Sequence, residues 1–236
     1  PSCLWYNVFR KFDNKATMHG IFFKPPLQNN YLGHQIKEIY FDRVYASLIE
    51  GKGLKTCLDV GGNIGMTSYY FSHHFEQVIT LEPSAEHFKV LTEMLAYNKI
   101  ENVKAINKAL FIKEGEYPLF HPLNENKTMY SLHTGVIGGN QDTPSEKVQA
   151  ITLKGLFEQE KIGEVDLLKL DIEGSEVEIF SHSDFKELAP RIRMIVTESH
   201  TWNGRNPNQL IDALKMTGYG IEKAVADANL IIAVRK

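Results

Sequence analysis

The chain has 236 residues, of which 43% are hydrophobic and 23% are charged, and its formal net charge is −3. It can therefore bury a sizeable core as one domain, and its nearly balanced charge offers no general attraction for a polyanion, so we expect no nucleic-acid substrate. Two cysteines are too few for a disulfide framework or a zinc site, and no apolar run approaches the ~20 residues of a membrane span.

Strand-like and helix-like segments alternate along the chain, which predicts the α/β fold class. Residues 1–32 are interpreted as a covering arm with at most a short strand at 19–23, and apolar residues at helical spacing predict a helix over 33–50. The next elements follow the order strand, helix, strand, helix, strand, at 56–60, 66–71, 78–81, 85–98 and 103–109. This order is typical of half of a parallel sheet.

Residues 113–149 interrupt the alternation with several prolines and glycines, and we interpret them as an insertion that forms a lid over the site. Strand-like pieces within it lie at 117–120 and 148–152. Beyond the insertion we predict a helix at 153–160, an almost continuously apolar fourth strand at 165–172 and a fifth strand at 194–199. A helix at 207–217 follows, and the chain closes with an antiparallel hairpin of strands at 221–225 and 230–234. We expect residues 1–236 to form one domain, with 1–50 as its N-terminal arm and helix.

The most informative motif is the turn Asp59-Val-Gly-Gly-Asn-Ile-Gly65, which joins the first strand of the half-sheet to the following helix. Glycines let the backbone approach a ligand closely, and the free N–H groups of a helix start bind polar groups, so a nucleotide-type ligand is predicted here. The dinucleotide fingerprint would need glycine where Asn63 and Met66 stand. The second strand ends at Glu82, roughly 20 residues further on, where a carboxylate can accept both hydroxyls of a ribose.

Lys169, Asp171 and Glu173 share one face at the end of the fourth strand, because side chains on a strand alternate with a two-residue period. A buried charge needs a partner, so we interpret Lys169 as one half of a structural ion pair with Asp171, Asp59 or Glu198. Asp171 lies at the carboxyl end of its strand, where open α/β sheets bind ligands, and we expect it to be functional. The next helix opens with two acidic residues, Glu173 and Glu176. They either belong to the functional site or cap the helix.

Glu198 and His200 share a face at the carboxyl end of the fifth strand and should point at the same cleft. His200 is the candidate general base, because an unperturbed imidazole is largely neutral at pH 7, and the alternative is a plain loop histidine. His133 in the insertion could reach the site from above or lie on the surface. The residues that follow His200 include Trp202, Asn203 and Arg205. They either line the acceptor pocket or pack in an exposed loop.

Five segments in order resemble the FkbM family of S-adenosylmethionine-dependent methyltransferases over nearly the whole chain. They are Leu-Asp-Val-Gly-Gly-Asn-Ile-Gly, Leu-Glu-Pro-Ser, Asn-Lys-Ala-Leu, Leu-Leu-Lys-Leu-Asp-Ile-Glu-Gly-Ser-Glu and Val-Thr-Glu-Ser-His. One departure is Gly62, where many relatives carry alanine. The resemblance implies a Rossmann-like class I methyltransferase fold, with a mostly parallel seven-stranded sheet and an antiparallel C-terminal strand. It also implies O-methylation of hydroxyl groups on natural products or sugars.

The resemblance further implies S-adenosyl-L-methionine as cofactor and S-adenosyl-L-homocysteine as product. Carried over to this sequence, the resemblance places Asp59, Gly61, Asn63 and Gly65 around the methionine part of the cofactor. It places Glu82 at the ribose, and Asn107 and Ala109 beside the adenine. We expect the catalytic residues to be Asp171, His200 and Glu198, with Asp171 or His200 assisting removal of the acceptor's proton. The same three could instead hold a divalent metal ion, which we do not favour.

Two alternatives to O-methylation stay open. One is N- or C-methylation on the same fold, because acceptor choice would lie in the insertion and the N-terminal arm, and the other is a non-catalytic cofactor-binding partner subunit. We expect a cytoplasmic enzyme with a small-molecule or sugar acceptor and no membrane partner. Because the chain begins at Pro1 rather than methionine, we expect a fragment or a processed form.

Overall fold

The computed structural model describes residues 16–18, 21–23, 39, 43–121, 130–133, 143–200, 206–225 and 230–236. Its strands are β1 (Ala16–Met18), β2 (Ile21–Phe23), β3 (Leu54–Val60), β4 (Phe75–Leu81), β5 (Val103–Ile106), β6 (Ala109–Leu110), β7 (Gly115–His121), β8 (Thr143–Ile151), β9 (Val165–Leu170), β10 (Ile192–Glu198), β11 (Tyr219–Val225) and β12 (Leu230–Arg235). Its helices are α1 (Ala46–Ile49), α2 (Met66–Ser72), α3 (Ala85–Tyr97), α4 (Leu153–Gln159), α5 (Glu176–Ser181), α6 (Ser183–Leu188) and α7 (Pro207–Met216), with a 3-10 turn at Ala189–Arg191. No helix in these ranges is long and apolar enough to cross a membrane.

Seven strands form one sheet in the order β11–β12–β10–β9–β3–β4–β5. The pairs from β10 to β5 are parallel, whereas β12 runs antiparallel to both of its neighbours. The predicted α/β fold class, with a mostly parallel sheet and a closing antiparallel hairpin, is therefore confirmed. Strand order departs in opposite directions from β3, to β4 on one side and β9 on the other. Open α/β sheets bind ligands at such a switch point, beyond the carboxyl ends of the strands.

The register of β3 sets polar side chains beside one another near that edge. Asp59 lies opposite Thr80 of β4 and opposite Lys169 of β9. All three residues are buried. Their placement follows from the parallel pairing of three neighbouring strands, which brings residues distant in sequence to the same level of the sheet.

Apolar side chains cover both faces of the central strands. Leu58 and Leu168 belong to one buried cluster, whereas the preceding residues, Cys57 and Leu167, belong to the other. Such alternation between two cores is expected for parallel strands that helices cover on both sides. Cys57 is fully buried, and this burial raises the pKa of its thiol, as expected for a cysteine that serves as a small apolar residue.

The third strand of the half-sheet differs from its prediction over 103–109. β5 ends at Ile106, and β6 pairs instead with β8 in a separate three-stranded sheet that also contains β7. The break falls at Asn107, whose Nδ2 donates to the carbonyl oxygens of Glu82 and Pro83 at 2.8 and 2.9 Å. This side chain ties the segment directly after β4 to the chain beyond β5.

The N-terminal predictions are met in part. Of the short strand expected at 19–23, residues 21–23 form β2, and 19–20 lie outside the described residues. β2 pairs antiparallel with β1, which precedes the predicted range. Within residues 43–50 of the helix expected over 33–50, the chain is helical only in α1. Most of the remainder of that prediction, 33–38 and 40–42, lies outside the described residues.

Candidate functional site

The turn between β3 and α2 is built on glycines that the backbone requires. Gly61 has a φ of +82°, and a Cβ placed there would lie 1.8 Å from the carbonyl oxygen of Asp171. The N–H groups of Gly61 and Gly62 both donate to the carbonyl oxygen of Leu81, at 3.0 and 2.9 Å. Gly65 has a φ of +94°, and a Cβ there would lie 2.4 Å from Cε of Met94 on α3. Gly61 therefore allows β3 to approach the chain beyond β9, and Gly65 allows α2 to pack on α3.

Asp59 and Lys169 form a buried ion pair beneath this turn. The Oδ2 atom of Asp59 accepts hydrogen bonds from the hydroxyls of Thr67 and Ser68 at 2.8 and 2.6 Å, and Oδ1 lies 3.6 Å from Nζ of Lys169. Lys169 also donates to the carbonyl oxygen of Gly61 at 2.7 Å. Burial alone would lower the pKa of Lys169, but the carboxylates of Asp171 and Asp59 raise it. The predicted structural ion pair of Lys169 is confirmed, and Asp59 supports the turn from below.

Glu82, at the end of β4, is the buried carboxyl group beside the turn. It is 5% exposed, and its two oxygens accept hydrogen bonds from the backbone N–H groups of Asn63 and Ser84 at 2.8 and 2.9 Å. Burial raises its pKa to about 7. The Nδ1 atom of His87 lies 3.9 Å from one of its oxygens. Glu82 can therefore change its protonation state near neutral pH.

A cleft of about 610 Å³, part of it open to solvent, lies at the carboxyl edge of β3, β4 and β9. Four of the residues predicted to bind the cofactor line it, namely Gly61, Asn63, Glu82 and Ala109. The other three, Asp59, Gly65 and Asn107, are not among its lining residues and instead hold the turn and the strand ends in place. Asp171 also lines the cleft.

The structure brings Asp171, Glu198 and His200 together, because one ligand atom of each lies within 4.8 Å of the others. The Nε2 atom of His200 lies 4.0 Å from Asp171 Oδ1 and 3.6 Å from Glu198 Oε2. Closer carboxylates hold both ring nitrogens, with Glu173 Oε2 3.0 Å from Nε2 and Glu176 Oε1 2.9 Å from Nδ1. These three residues could hold a divalent ion. Without a bound ion, a protonated imidazole supplies the positive charge among the carboxylates.

The protonation of His200 differs from the sequence expectation of a largely neutral imidazole. Burial alone would lower the pKa of His200, but hydrogen bonds to the carboxylates of Glu173 and Glu176 raise it to about 12. The ring is therefore a cation at neutral pH and carries no free lone pair with which to accept a proton. The sequence could not reveal this, because it depends on two carboxylates that reach His200 from a neighbouring loop and helix.

Of the two acidic residues at the start of α5, Glu173 lines the cleft, whereas Glu176 holds the loop before the helix and does not cap the helix itself. The Glu176 side chain is 2% exposed and accepts hydrogen bonds from the N–H groups of Ile172 and Gly174, at distances from 3.0 to 3.2 Å. It therefore fixes the loop between β9 and α5 as well as the ring of His200. Glu173 has a φ of +56° within this loop.

The described part of the insertion reaches the cleft and its loop. Leu119, Tyr130 and Leu132 line the cleft. The hydroxyl of Ser131 donates to the carbonyl oxygen of Glu173 at 2.6 Å, and Nε2 of His133 lies 3.0 Å from Oε2 of Glu178 on α5. His133 thus contacts α5 rather than the cluster around His200.

Several functional candidates gave no sequence signal. Tyr130 and Leu132 lie in a stretch without periodicity. Ser175 belongs to a motif in which only the charged residues were predicted to be functional. His87 lies on α3 with its ring 4.9 Å from that of Tyr130. Trp202, Asn203 and Arg205, proposed for the acceptor pocket, lie outside the described residues.

The sheet order, the glycine turn and the buried carboxyl group across from it define a Rossmann-like α/β protein with a ligand cleft at the carboxyl edge of its sheet. A family model described as the methyltransferase FkbM domain matches residues 59–221. The chain belongs to the FkbM family of methyltransferases, as the sequence resemblance implied.

Two known proteins are similar to this chain. Methyltransferase sdnD of Sordaria araneosa is 27% identical over 220 residues, which cover 81% of this chain and 83% of the relative. The crystal structure of a methyltransferase FkbM from Methylobacillus flagellatus KT matches with a TM-score of 0.50 at 14% identity, and covers 81% of this chain and 46% of that chain. The second likeness concerns the fold alone.

Proposed function

We propose that the chain is an S-adenosyl-L-methionine-dependent O-methyltransferase that acts on a hydroxyl of a small molecule or sugar. One observation carries this proposal: the turn from Gly61 to Gly65 and the carboxyl group of Glu82 are joined into one cleft wall by the hydrogen bond from Asn63 N–H to Glu82. A turn that brings the backbone close to a ligand, beside a carboxylate that can accept hydroxyl donors, suits an adenosine compound. Membership of the FkbM family supports methyl transfer.

The residues present fit this cofactor. Each oxygen of Glu82 has one backbone donor and therefore keeps a lone pair for a ribose hydroxyl. Gly61 and Asn63 would border the methionine part, and Ala109 would border the adenine. When bound, S-adenosyl-L-methionine supplies a methyl group on a sulfonium, which is already activated for transfer. The protein's part is then to align the acceptor, remove its proton and exclude water.

Asp171 is the residue that we propose to accept the proton of the acceptor hydroxyl. It lines the cleft, its Oδ2 lies 3.5 Å from Nζ of Lys169, and its Oδ1 is a buried atom without a hydrogen-bond partner. His200 is protonated and cannot take up this proton, so we assign to it a fixed positive charge that holds the carboxylates of Glu173 and Glu198 in place.

The proposal is tested by transfer of isotope-labelled methyl groups. Cell extract is incubated with the protein and methyl-labelled S-adenosyl-L-methionine, and labelled products are identified by mass spectrometry. We expect labelled methyl ethers that are absent when the protein is left out of the incubation. Labelled N-methyl amines or carbon-bound methyl groups in their place would favour N- or C-methylation instead.

Asp171→Asn supplies the residue-level test. We expect it to lower the labelling rate by about 100-fold or more, the contribution of a positioned general base, while affinity for S-adenosyl-L-homocysteine changes little. Asp166→Asn is the matched control, because Asp166 lies at the other end of β9 and accepts hydrogen bonds from the N–H groups of Lys55 and Thr56. Equal labelling by wild type and Asp171→Asn would remove the assignment of Asp171.

A further inference from the structure

Ser175 carries a buried hydroxyl that no part of the described structure satisfies. The residue is 1% exposed, and its Oγ has no hydrogen-bond partner. Serine at this position, directly before α5, commonly caps the helix, yet the Ser175 side chain makes no capping hydrogen bond. Glu176 does not cap the helix either, because its carboxylate accepts hydrogen bonds from the N–H groups of Ile172 and Gly174, which precede α5. The hydroxyl of Ser175 is therefore left over from the local structure.

Ser175 belongs to the wall of the cleft, together with Asp171 and Glu173. Asp171 contributes a second buried atom without a hydrogen-bond partner, Oδ1, whose neighbour His200 Nε2 is 4.0 Å away and beyond hydrogen-bond distance. Oε2 of Glu173 in the same wall also has no hydrogen-bond partner, although it lies 3.0 Å from Nε2 of His200. Buried polar atoms are almost always paired, so these three atoms indicate partners that a ligand supplies.

The chemistry of this wall restricts the ligand group. Asp171 and Glu173 are carboxyl groups, so they repel an anionic group and accept hydrogen bonds from a donor. Ser175 can donate or accept. Leu110, Leu119 and Leu132 also line the cleft and carry no polar side-chain group, whereas the other polar residues of its lining are Asn63, Glu82, His87, Lys108 and Tyr130. Two neighbouring neutral hydroxyls match these three polar groups, because one can donate to Asp171 while the other donates to Glu173 and accepts from Ser175.

The position of Glu173 is fixed from two sides. Its carbonyl oxygen accepts the hydroxyl of Ser131 in the insertion, and its Oε2 lies 3.0 Å from Nε2 of His200. A carboxylate held in this way can select among ligands by position, because the protein does not have to reorganise to bind.

We propose that Ser175 and Glu173 form a second recognition point beside Asp171, which binds a hydroxyl adjacent to the one that is methylated. This inference rests on the proposed O-methyl transfer and adds to it that the acceptor carries neighbouring hydroxyls. Asp171 takes the proton of one hydroxyl, while Ser175 and Glu173 hold the other and so determine which oxygen faces the methyl donor.

The inference is tested by NMR titration with three small probes. Glycerol offers adjacent hydroxyls, 1-propanol has the same carbon skeleton with one hydroxyl, and glycerate adds a negative charge. Each probe is titrated to about 1 M, since ligands of this size bind weakly, into protein saturated with S-adenosyl-L-homocysteine, with the amide signals of residues 172–176 as the readout. We expect saturable shifts with glycerol and none with 1-propanol or glycerate.

Variants assign the effect to the side chain. Ser175→Ala should weaken glycerol binding by about threefold to tenfold, as expected for one lost hydrogen bond, whereas Ser181→Ala at the exposed end of α5 should not change it. Equal binding of glycerol and 1-propanol, no saturable binding of glycerol, or unchanged binding in Ser175→Ala would overturn the inference.

Two additional titrations distinguish the hydroxyl site from the cofactor site and from a metal site. The affinity of S-adenosyl-L-homocysteine is measured separately, and the glycerol titration is repeated without that compound. If S-adenosyl-L-homocysteine does not bind, the proposed cofactor site is wrong. If it binds but glycerol does not, the proposed hydroxyl site is wrong. In a separate titration with MnCl2, we expect no tight binding. Micromolar broadening of the same amide signals, abolished in Glu198→Gln, would identify the occupant as a divalent cation at Asp171, Glu198 and His200 and overturn the inference.

Discussion

Replacing Lys169 with methionine tests the ion pair beneath the glycine turn. Methionine keeps most of the apolar stem but removes the charge that lies 3.6 Å from Asp59 Oδ1 and 3.5 Å from Asp171 Oδ2. Asp59 is fully buried, so the variant leaves a carboxylate without its ion-pair partner. Breaking a buried pair costs about 3–5 kcal/mol. Because the hydroxyls of Thr67 and Ser68 still bind Asp59, we expect about 3 kcal/mol, or about 6–12 °C in Tm for a chain of this size.

Urea denaturation followed by circular dichroism measures this loss. The double variant Lys169→Met/Asp59→Asn should recover about half of it, because the uncompensated charge is then gone and the two effects are not additive. Lys154→Met is the control, since Lys154 pairs with Glu187 on the exposed surface and should contribute nothing measurable. A loss below about 1 kcal/mol in the single variant, or additive losses in the double variant, would refute the reasoning.

Three further outcomes are expected. Burial raises the pKa of Glu82 to about 7, and the ionised carboxylate is the form that accepts hydrogen bonds from hydroxyls. The affinity for S-adenosyl-L-homocysteine, measured by calorimetry, should therefore be constant above pH 7 and fall about tenfold per pH unit below it. A wild-type affinity that does not change with pH would contradict this expectation. Gly61→Ala places a Cβ 1.8 Å from a backbone oxygen and should abolish this binding or the fold itself, whereas Gly53→Ala meets nothing within 4 Å and should do neither. The pKa of His200 is raised to about 12, so its ring should not titrate between about pH 6 and 9 in NMR spectra. Glu176→Gln should lower the pKa of His200. A wild-type ring that titrates near pH 6.5 would contradict the geometry.

The sheet could be predicted because its signals are local. The almost continuously apolar strand around Leu168 had to be central, and the terminal hairpin followed from two apolar runs around a polar turn. The partners of Lys169 were predictable for a different reason. A charge in a central strand must find a carboxylate, and the carboxyl ends of parallel strands meet at one edge, so Asp59 and Asp171 were within reach before any register was known.

Other features depend on contacts that no local pattern encodes. β5 ends just before Asn107, whose side chain donates to the backbone carbonyl oxygens of Glu82 and Pro83 directly after β4. His200 is protonated because the carboxylates of Glu173 and Glu176 approach its ring from a loop and a helix. Residue type and spacing identified these positions as notable, but their roles are set by the angle at which one element packs against another.

Calorimetric titration with S-adenosyl-L-homocysteine tests the central claim most directly, because it needs no knowledge of the acceptor. The arrangement of the Gly61 turn and Glu82 predicts one saturable site per chain, from which S-adenosyl-L-methionine displaces the ligand, and a marked loss of affinity in Glu82→Ala. No saturable heat with this compound, or binding of a dinucleotide such as NAD⁺ in its place, would contradict the account.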